Sequence, residues 1–308
     1  MANIEKIKKN KSIQELLEFG IINIDKPSNP TSFDVSHFVC KTLKLRKTSH
    51  FGTLDPKVTG VLPVALNRAC KLTGYFLGED KEYVGVMRIH EDIPLEKIEK
   101  MIKEKFTGKI LQTPPVRSRV KRQERQREVK RFEILEKKGQ DILFVAEVQG
   151  GTYIRKLIDD LGRELGIGAH MLELRRVRAG IFSEKAKPFA SSSNSQTKEY
   201  PSVNLYDFEK AVQEYEKGDE KPLRDIIIPG EIVSEVYPEV QINKEIVEKI
   251  FHGKRIEKQD LISNQKMAKN KIISVFAGDR FIGMFKVVNN EVFATPEFVM
   301  QPIKGEIK

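Results

Sequence analysis

Asp55 is the residue best placed to do chemistry. It lies in the stretch Ser49-His50-Phe51-Gly52-Thr53-Leu54-Asp55-Pro56-Lys57-Val58-Thr59-Gly60-Val61-Leu62-Pro63-Val64-Ala65-Leu66. Pro56 fixes its own φ, and its ring crowds Asp55 toward an extended conformation. Gly52 and Gly60 permit backbone shapes that other residues avoid. The apolar run that follows can anchor the loop. A single carboxylate held rigidly is what a nucleophile needs. Asp is also the commonest of turn residues, so the surroundings must decide what Asp55 does.

Those surroundings are basic. The 308-residue chain carries a net charge of +10, a balance compatible with phosphate contacts to a nucleic acid. Arg117, Arg119, Lys121, Arg122, Arg125, Arg127, Lys130 and Arg131 stand against Glu124 and Glu128, a local net charge of +6 in one short segment. Pro114 and Pro115 just before it stop a helix, so the run suits a loop or strand pair lying on RNA. Cys40 and Cys70 are the two cysteines; neither a disulfide framework nor a cysteine zinc site is supported. The five histidines lack ligand spacing, and no metal or cofactor is expected. No apolar run is long enough to span a membrane, and the polar, basic start lacks a signal region. A soluble, cytoplasmic protein is expected.

The elements that must position Asp55 are legible in outline. Gly20 to Asp25 reads as a strand, ended by Lys26-Pro27. Thr31 or Ser32 can cap a helix whose apolar face is Val35, Phe38, Val39 and Leu43. Lys81 to Met87 reads as a strand carrying Tyr83. Leu95, Ile98, Met101, Ile102 and Phe106 mark an amphipathic helix. Asp141 to Gln149 alternates as a strand. A Gly150-Gly151 turn then leads into a helix with Ile154, Leu157, Ile158, Leu161 and Leu165 inward and Thr152 as its expected cap. Tyr153 and Arg155 fall in its first turn, off the core face, where they can point into a cleft. An Arg near a helix N-terminus is electrostatically unfavourable without an anionic partner. Ser191-Ser192-Ser193-Asn194-Ser195 marks a loop. From about Pro238 the pattern changes to a short helix, a basic turn at Gly253, Lys254 and Arg255, and a ladder of strands with turns at Gly278-Asp279 and Asn289-Asn290.

The Asp55 stretch resembles the catalytic motif of the TruB-type pseudouridine synthases. Its Gly-Thr-Leu-Asp-Pro-Lys-Val-Thr-Gly-Val-Leu-Pro-Val-Ala-Leu form looks most like the archaeal and eukaryotic branch, the dyskerin-like catalytic subunit of H/ACA ribonucleoproteins. Ser49 and Phe51 depart from the Gly and small residue that this family usually places around the His. Lys26-Pro27-Ser28 with Pro30-Thr31-Ser32, Lys81-Glu82-Tyr83 and Gly151-Thr152-Tyr153-Ile154-Arg155 resemble the remaining motifs, in order and spacing. Gly168 to Gly180 resembles the end of the synthase core, and the C-terminal region resembles a PUA domain.

The resemblance implies a reaction, the isomerisation of uridine to pseudouridine in RNA with an Asp nucleophile. It implies Asp55 as catalytic residue, Arg155 pairing with it, and Tyr83 stacking on the base. A guanidinium beside a carboxylate keeps it ionised and fixes both oxygens. The resemblance further implies substrate contacts from His50, Tyr153 and Leu174, and a substrate-covering loop bearing Arg117, Lys121 and Arg122. Lys26 is implied as a support of the loop. RNA contacts are implied for Gly253, Lys254 and Arg255 of the PUA region. The implied fold is α+β: a mixed, mostly antiparallel sheet with flanking helices, plus a small C-terminal β pseudo-barrel. The expected division is an N-terminal extension (1–19), a catalytic domain (20–235) and a PUA domain (236–308). Implied partners are an H/ACA guide RNA, a substrate RNA (rRNA or tRNA) and three small particle proteins. A stand-alone tRNA T-loop synthase and a non-catalytic RNA-binding scaffold are the competing readings.

Overall fold

A computed structural model describes residues 2–114, 121–184, 200–263, 266–288 and 292–302. The chain divides into two compact units, Leu17–Ile228 and a second that joins Met1–Leu16 to Pro229–Lys308. The first is built on strands β1 (Gly20–Lys26), β2 (Thr48–His50), β3 (Thr59–Leu66), β4 (Lys81–Ile89), β5 (Gly108–Gln112), β6 (Arg125–Lys138), β7 (Asp141–Val148), β8 (Ala169–Ala179) and β9 (Val203–Asn204). Around them stand helices α1 (Ser32–Thr42), α2 (Leu95–Lys105), α3 (Ile154–Glu164) and α4 (Leu205–Glu216).

The main path of the sheet runs β9-β1-β3-β8-β4-β7-β6-β5. Pairing is antiparallel except at β9–β1 and at the central β3–β8 contact, which are parallel. The α+β reading, with a mixed and mostly antiparallel sheet, is what the chain adopts. β1 and β3 are buried along nearly their whole length. That is why they read as continuous apolar runs instead of alternating ones. α3 buries Ile154, Leu157, Ile158 and Leu161, the inward stripe expected of it. Thr31 caps α1 in a reciprocal box with Asp34. The expected cap at Thr152 is not formed. Tyr153 occupies the cap position, and the Thr152 hydroxyl donates to the Gln149 carbonyl at 2.8 Å, closing the turn before the helix instead.

In the second unit a five-stranded sheet follows the order β10 (Glu239–Gln241), β12 (Ile272–Ala277), β13 (Arg280–Val287), β14 (Val292–Val299), β11 (Ile256–Glu257). Its core gathers Val240, Ile242, Ile250, Ile273, Val275, Phe285 and Phe293. The first residues of the chain belong here. Lys6 pairs with Asp279 at 2.7 Å, and Lys11 pairs with the buried Glu231 at 2.5 Å. Burial pushes the Glu231 carboxyl up, and Lys11 opposes the shift. No helix among the described residues is long and apolar enough to cross a membrane.

Three buried cations organise the first unit, and each gives its protons to backbone carbonyls. Lys26 donates to Pro27 O (2.8 Å), Pro30 O (2.7 Å) and Pro56 O (2.9 Å). Arg176 donates from Nε to Val61 O at 2.7 Å and from Nη2 to Gly52 O at 3.0 Å. Lys81 donates to Leu77 O at 2.7 Å and to Glu79 O, with Phe76 O at 3.5 Å. Burial, and next the charge of Arg176, bring the Lys81 ammonium down to about 8; Arg178 acts in the same direction while Glu79 and Asp80 oppose it.

Two predictions follow from this packing. At Gly60 φ is +101°, and an added Cβ would lie 2.2 Å from the Arg176 carbonyl oxygen. Gly60→Ala should destabilise by on the order of 2–5 kcal/mol, strain and overpacking together. Gly139→Ala, with φ +57° but open space around it, should lose only about 1–2 kcal/mol. Denaturant melts of the two variants make the comparison, and equal losses would contradict the close β3–β8 approach. Lys81 has a folded-state pKa of about 8 against an ordinary value of 10.5. The unfolded state therefore binds more protons between those values, and stability from this group rises with pH across that window. Wild type measured against Lys81→Met should gain up to about 3 kcal/mol in relative stability between pH 8 and 10.5. A pH-independent difference would show that Lys81 keeps its proton throughout.

Candidate active site

Asp55 stands on the loop between β2 and β3. Each neighbour of the loop ties a different part of it. Pro56 O accepts from Asn29 N–H at 3.0 Å as well as from Lys26. Asp55 O accepts from Val58 N–H at 3.0 Å, closing a turn around Pro56. The buried Ser32 hydroxyl donates to Leu54 O at 3.0 Å and accepts from Leu54 N–H at 2.7 Å. Gly52, at φ +100°, turns its carbonyl to Arg176. The Lys26 ammonium lies within electrostatic reach of Asp55. Burial lowers its pKa most, and Asp55 followed by Asp34 pull it back up.

Phe51 explains why a large residue is accepted beside this loop. It is fully buried and stacks on Phe76, with centroids 4.8 Å apart at 10°. Phe182 closes the cluster at 5.9 Å from Phe51 and 5.5 Å from Phe76. The Phe51 backbone N–H donates to Pro63 O at 2.9 Å, which folds the loop onto β3. The bulky ring is thus an anchor under the loop, a role its position as a departure from the family pattern did not reveal.

Arg155 arrives from the first turn of α3. Its Nη2 meets Asp55 Oδ2 at 2.7 Å, with side chains 62% and 47% exposed. Both groups therefore remain open to a ligand while holding each other. The turn that delivers Arg155 is itself fixed. Gln112, at the end of β5, accepts from Tyr153 N–H at 2.8 Å and donates to Tyr153 O at 3.1 Å. Arg127 Nε donates to Gly151 O at 3.3 Å. Gly150 packs so closely on the 77–79 turn that an added Cβ would lie 2.6 Å from Leu77 O. That same turn is the one Lys81 holds.

The other expected residues fall as follows. Tyr83 on β4 pairs with Arg176 of β8, and Gly85 pairs with Leu174. Tyr83, Gly85, Leu174 and Arg176 thus share one face of the sheet. Gly85 has no side chain because Leu174 and Phe144 fill its place, 3.0 and 2.8 Å from where a Cβ would be. Tyr83 and Leu174 are both buried. His50 ends β2, opposite Val64. Burial first, then the Arg176 charge, push its imidazole below the usual range, and its Nδ1 is buried without a hydrogen-bond partner among the described residues. Lys121 and Arg122 are exposed in the segment leading into β6. Arg117 lies outside the described residues. In the second unit Gly253 adopts φ +96° and Arg255 is exposed. Lys254 is committed to the buried Asp260, at 2.7 and 2.9 Å.

Gln112, Lys81 and Arg176 are the supports that sequence reasoning passed over. A Gln before two prolines, or a Lys opening a strand, gives no signal of which backbone atoms it will reach. Arg176 carried one faint mark, a charge in an otherwise inward-facing strand position.

The chain is similar to known proteins over most of its length. Residues 40–154 match the TruB family pseudouridylate synthase N-terminal domain, residues 155–234 the tRNA pseudouridylate synthase B C-terminal domain, and residues 9–36 the DKCLD (NUC011) domain. The probable tRNA pseudouridine synthase B of Methanopyrus kandleri is 41% identical over 266 residues, 86% of this chain and 74% of that protein. The protein of the same description from Pyrococcus horikoshii is 39% identical over 291 residues, 94% of this chain and 81% of its own. A chain from a Cbf5-Nop10-Gar1 complex superposes with a TM-score of 0.83 at 36% identity, covering 96% of this chain and 89% of that one. A chain from an H/ACA RNP bound to a substrate RNA containing 2'-deoxyuridine gives 0.81 at 34% identity, covering 96% and 89%. With family models matching residues 40–234 and relatives matched over most of their length, this chain belongs to the TruB family of pseudouridine synthases and is an RNA pseudouridine synthase.

Proposed function

We propose that Asp55 is the catalytic carboxylate of this synthase and that Arg155 is its orienting partner. The observation that carries the reading is their 2.7 Å ion pair, made between two segments that separate supports hold rigidly. In the reaction the bond from ribose C1′ to base N1 breaks and a bond from C1′ to C5 forms. The proton on C5 is lost and one is gained on N1, so product and substrate are isomers and no oxidant or energy source enters. The uridine must leave the stack to be reached. Tyr83 then holds its flat face, Leu174 and Tyr153 wall the pocket, and His50 contacts the substrate. Lys121 and Arg122, together with Arg117, bind backbone phosphates of the substrate.

We further propose that the chain acts in an H/ACA particle, with a guide RNA choosing a uridine in ribosomal RNA and three small proteins completing the assembly. Similarity to chains of the Cbf5-Nop10-Gar1 and substrate-bound H/ACA structures supports this. The five-stranded unit is read as a PUA-type RNA-binding domain, its exposed Arg255 the RNA contact and Lys254 the brace of the turn. We also propose a cytoplasmic location. The names of the curated relatives favour a second substrate, tRNA, and we propose that it would be modified without a guide.

One assay separates these roles. Purified chain is given a tRNA transcript alone, and in parallel a target RNA with an H/ACA guide and the three partner proteins. Pseudouridine is expected in the guided arm. Product on tRNA alone would establish the second substrate, and absence of product in both arms would overturn the enzymatic assignment of Asp55. Asp55→Asn should lose at least about 10³-fold in rate while binding RNA as wild type does. Arg155→Lys keeps the charge but loses the planar fork, and it should retain more activity than Arg155→Ala. Wild-type activity from all three variants would remove both residues from the mechanism.

A further inference from the structure

Phe33 is the largest apolar group left in the open beside the active-site loop, exposed to 67%. It is not a loose side chain. Its ring lies parallel to that of His37, with centroids 5.7 Å apart and planes 6° off. The two residues are one helical turn apart on α1, so the stack is built into the helix surface. The capping box of Thr31 and Asp34 fixes the first turn from which Phe33 projects. With one face on His37 and the side chain mostly exposed, Phe33 offers its other face to a ligand.

The place of this surface is set by Ser32. Its hydroxyl makes both hydrogen bonds to Leu54, the residue before Asp55. Phe33 and Asp55 are therefore the next residues along each chain from a direct contact. Successive Cα atoms are 3.8 Å apart, so the two lie on the order of 10 Å from each other. That is within the span of a few nucleotides of an RNA strand whose uridine reaches Asp55. Isolated exposed apolar residues are ordinary on protein surfaces. A rigid aromatic pair joined by a bonded neighbour to the catalytic loop of an RNA-modifying enzyme is a different case, because flat bases stack on such rings whatever their sequence.

We propose that Phe33, backed by His37, is a stacking site for a nucleobase of the substrate RNA flanking the target uridine. The inference rests on the reading of Asp55 as the catalytic residue. A base unstacked from its neighbour when the uridine is extruded loses a π partner, and Phe33 supplies one. A phenyl ring itself makes no base-edge hydrogen bonds, so Phe33 would favour strong stackers over weak ones and leave the choice of target to other contacts.

The test uses full-length protein in whichever assembly makes pseudouridine. Phe33→Ala, Phe33→Leu and Phe33→Tyr are compared with wild type on the intact substrate. They are compared again on substrates with a single abasic site at each nucleotide flanking the target. On intact RNA, Phe33→Ala and Phe33→Leu should lose roughly ten- to a hundredfold in kcat/KM, with melting temperature unchanged, and Phe33→Tyr should match wild type. At one flanking position the abasic substrate should bring wild type down to Phe33→Ala, because the partner base is gone. Wild-type activity from Phe33→Ala on intact RNA overturns the proposal. So does full activity from Phe33→Leu, which would mean plain apolar packing. A deficit that persists at every abasic position overturns it as well, pointing instead to a protein contact. Failure of wild type itself to make pseudouridine would sink the parent reading, a result distinct from any of these.

Discussion

The active site depends on the capture of backbone carbonyls by buried cations. A loop that presents a carboxylate must leave several of its own peptide oxygens facing the protein, and each would be costly if unpaired. Lys26 takes Pro56 O next to Asp55, and Arg176 takes Gly52 O three residues before it. These two cations grip the loop from opposite ends. Both hold its backbone and not the Asp55 carboxylate, which pairs with Arg155 through Oδ2 and stays half exposed. Burying a cation carries a desolvation cost, visible in the lowered pKa values of Lys26 and Lys81. The carbonyl hydrogen bonds offset it together with nearby carboxylates, Asp55 and Asp34 at Lys26, Glu79 and Asp80 at Lys81.

The second half of the site is fixed by the same chemistry at one remove. Lys81 holds the 77–79 turn, Gly150 rests against that turn, and the chain then runs through Tyr153 to Arg155. Gln112 adds two bonds to the Tyr153 backbone from β5. Asp55 and Arg155 thus meet because two rigid frames meet. The β3–β8 contact joins those frames. Gly60 lets the strand that follows the Asp55 loop lie directly on the strand that carries Arg176 and Leu174.

What the sequence disclosed follows from where the signals were local. Strands β1, β4 and β7 and helices α1, α2 and α3 were legible because burial imposes a period on neighbouring residues. The Thr31 cap was legible because its partner Asp34 lies three residues on. Asp55 itself was legible through Pro56 and the flanking glycines. The Asp55–Arg155 pair spans a hundred residues of chain, and family resemblance, not periodicity, pointed to it. Resemblance pointed to Lys26 as a support of the loop without saying which carbonyls it takes. The Lys81 and Arg176 clamps, and the Gln112 bolt, stayed hidden because their partners are backbone atoms, which all residues share. Phe51 looked like an anomaly for the same kind of reason. Its justification is Phe76 and Phe182, apart in sequence and joined only by the fold.

The exposure of the Asp55–Arg155 pair distinguishes its purpose from that of its supports. An ion pair open to solvent contributes between nothing and about 1 kcal/mol to stability. The buried clamps are different, since removing any one leaves carbonyls unpaired inside the protein. Selection for stability alone would favour the reverse, with the pair buried or absent and the loop closed over. An accessible carboxylate and guanidinium, held in register by groups that cannot move without unfolding the loop, is a site whose geometry is preserved for something that arrives from outside. The rigid Phe33–His37 stack beside it follows the same logic. It keeps an apolar ring in water, at a position one bonded residue from the loop, where folding gains little from it and a nucleobase gains a partner.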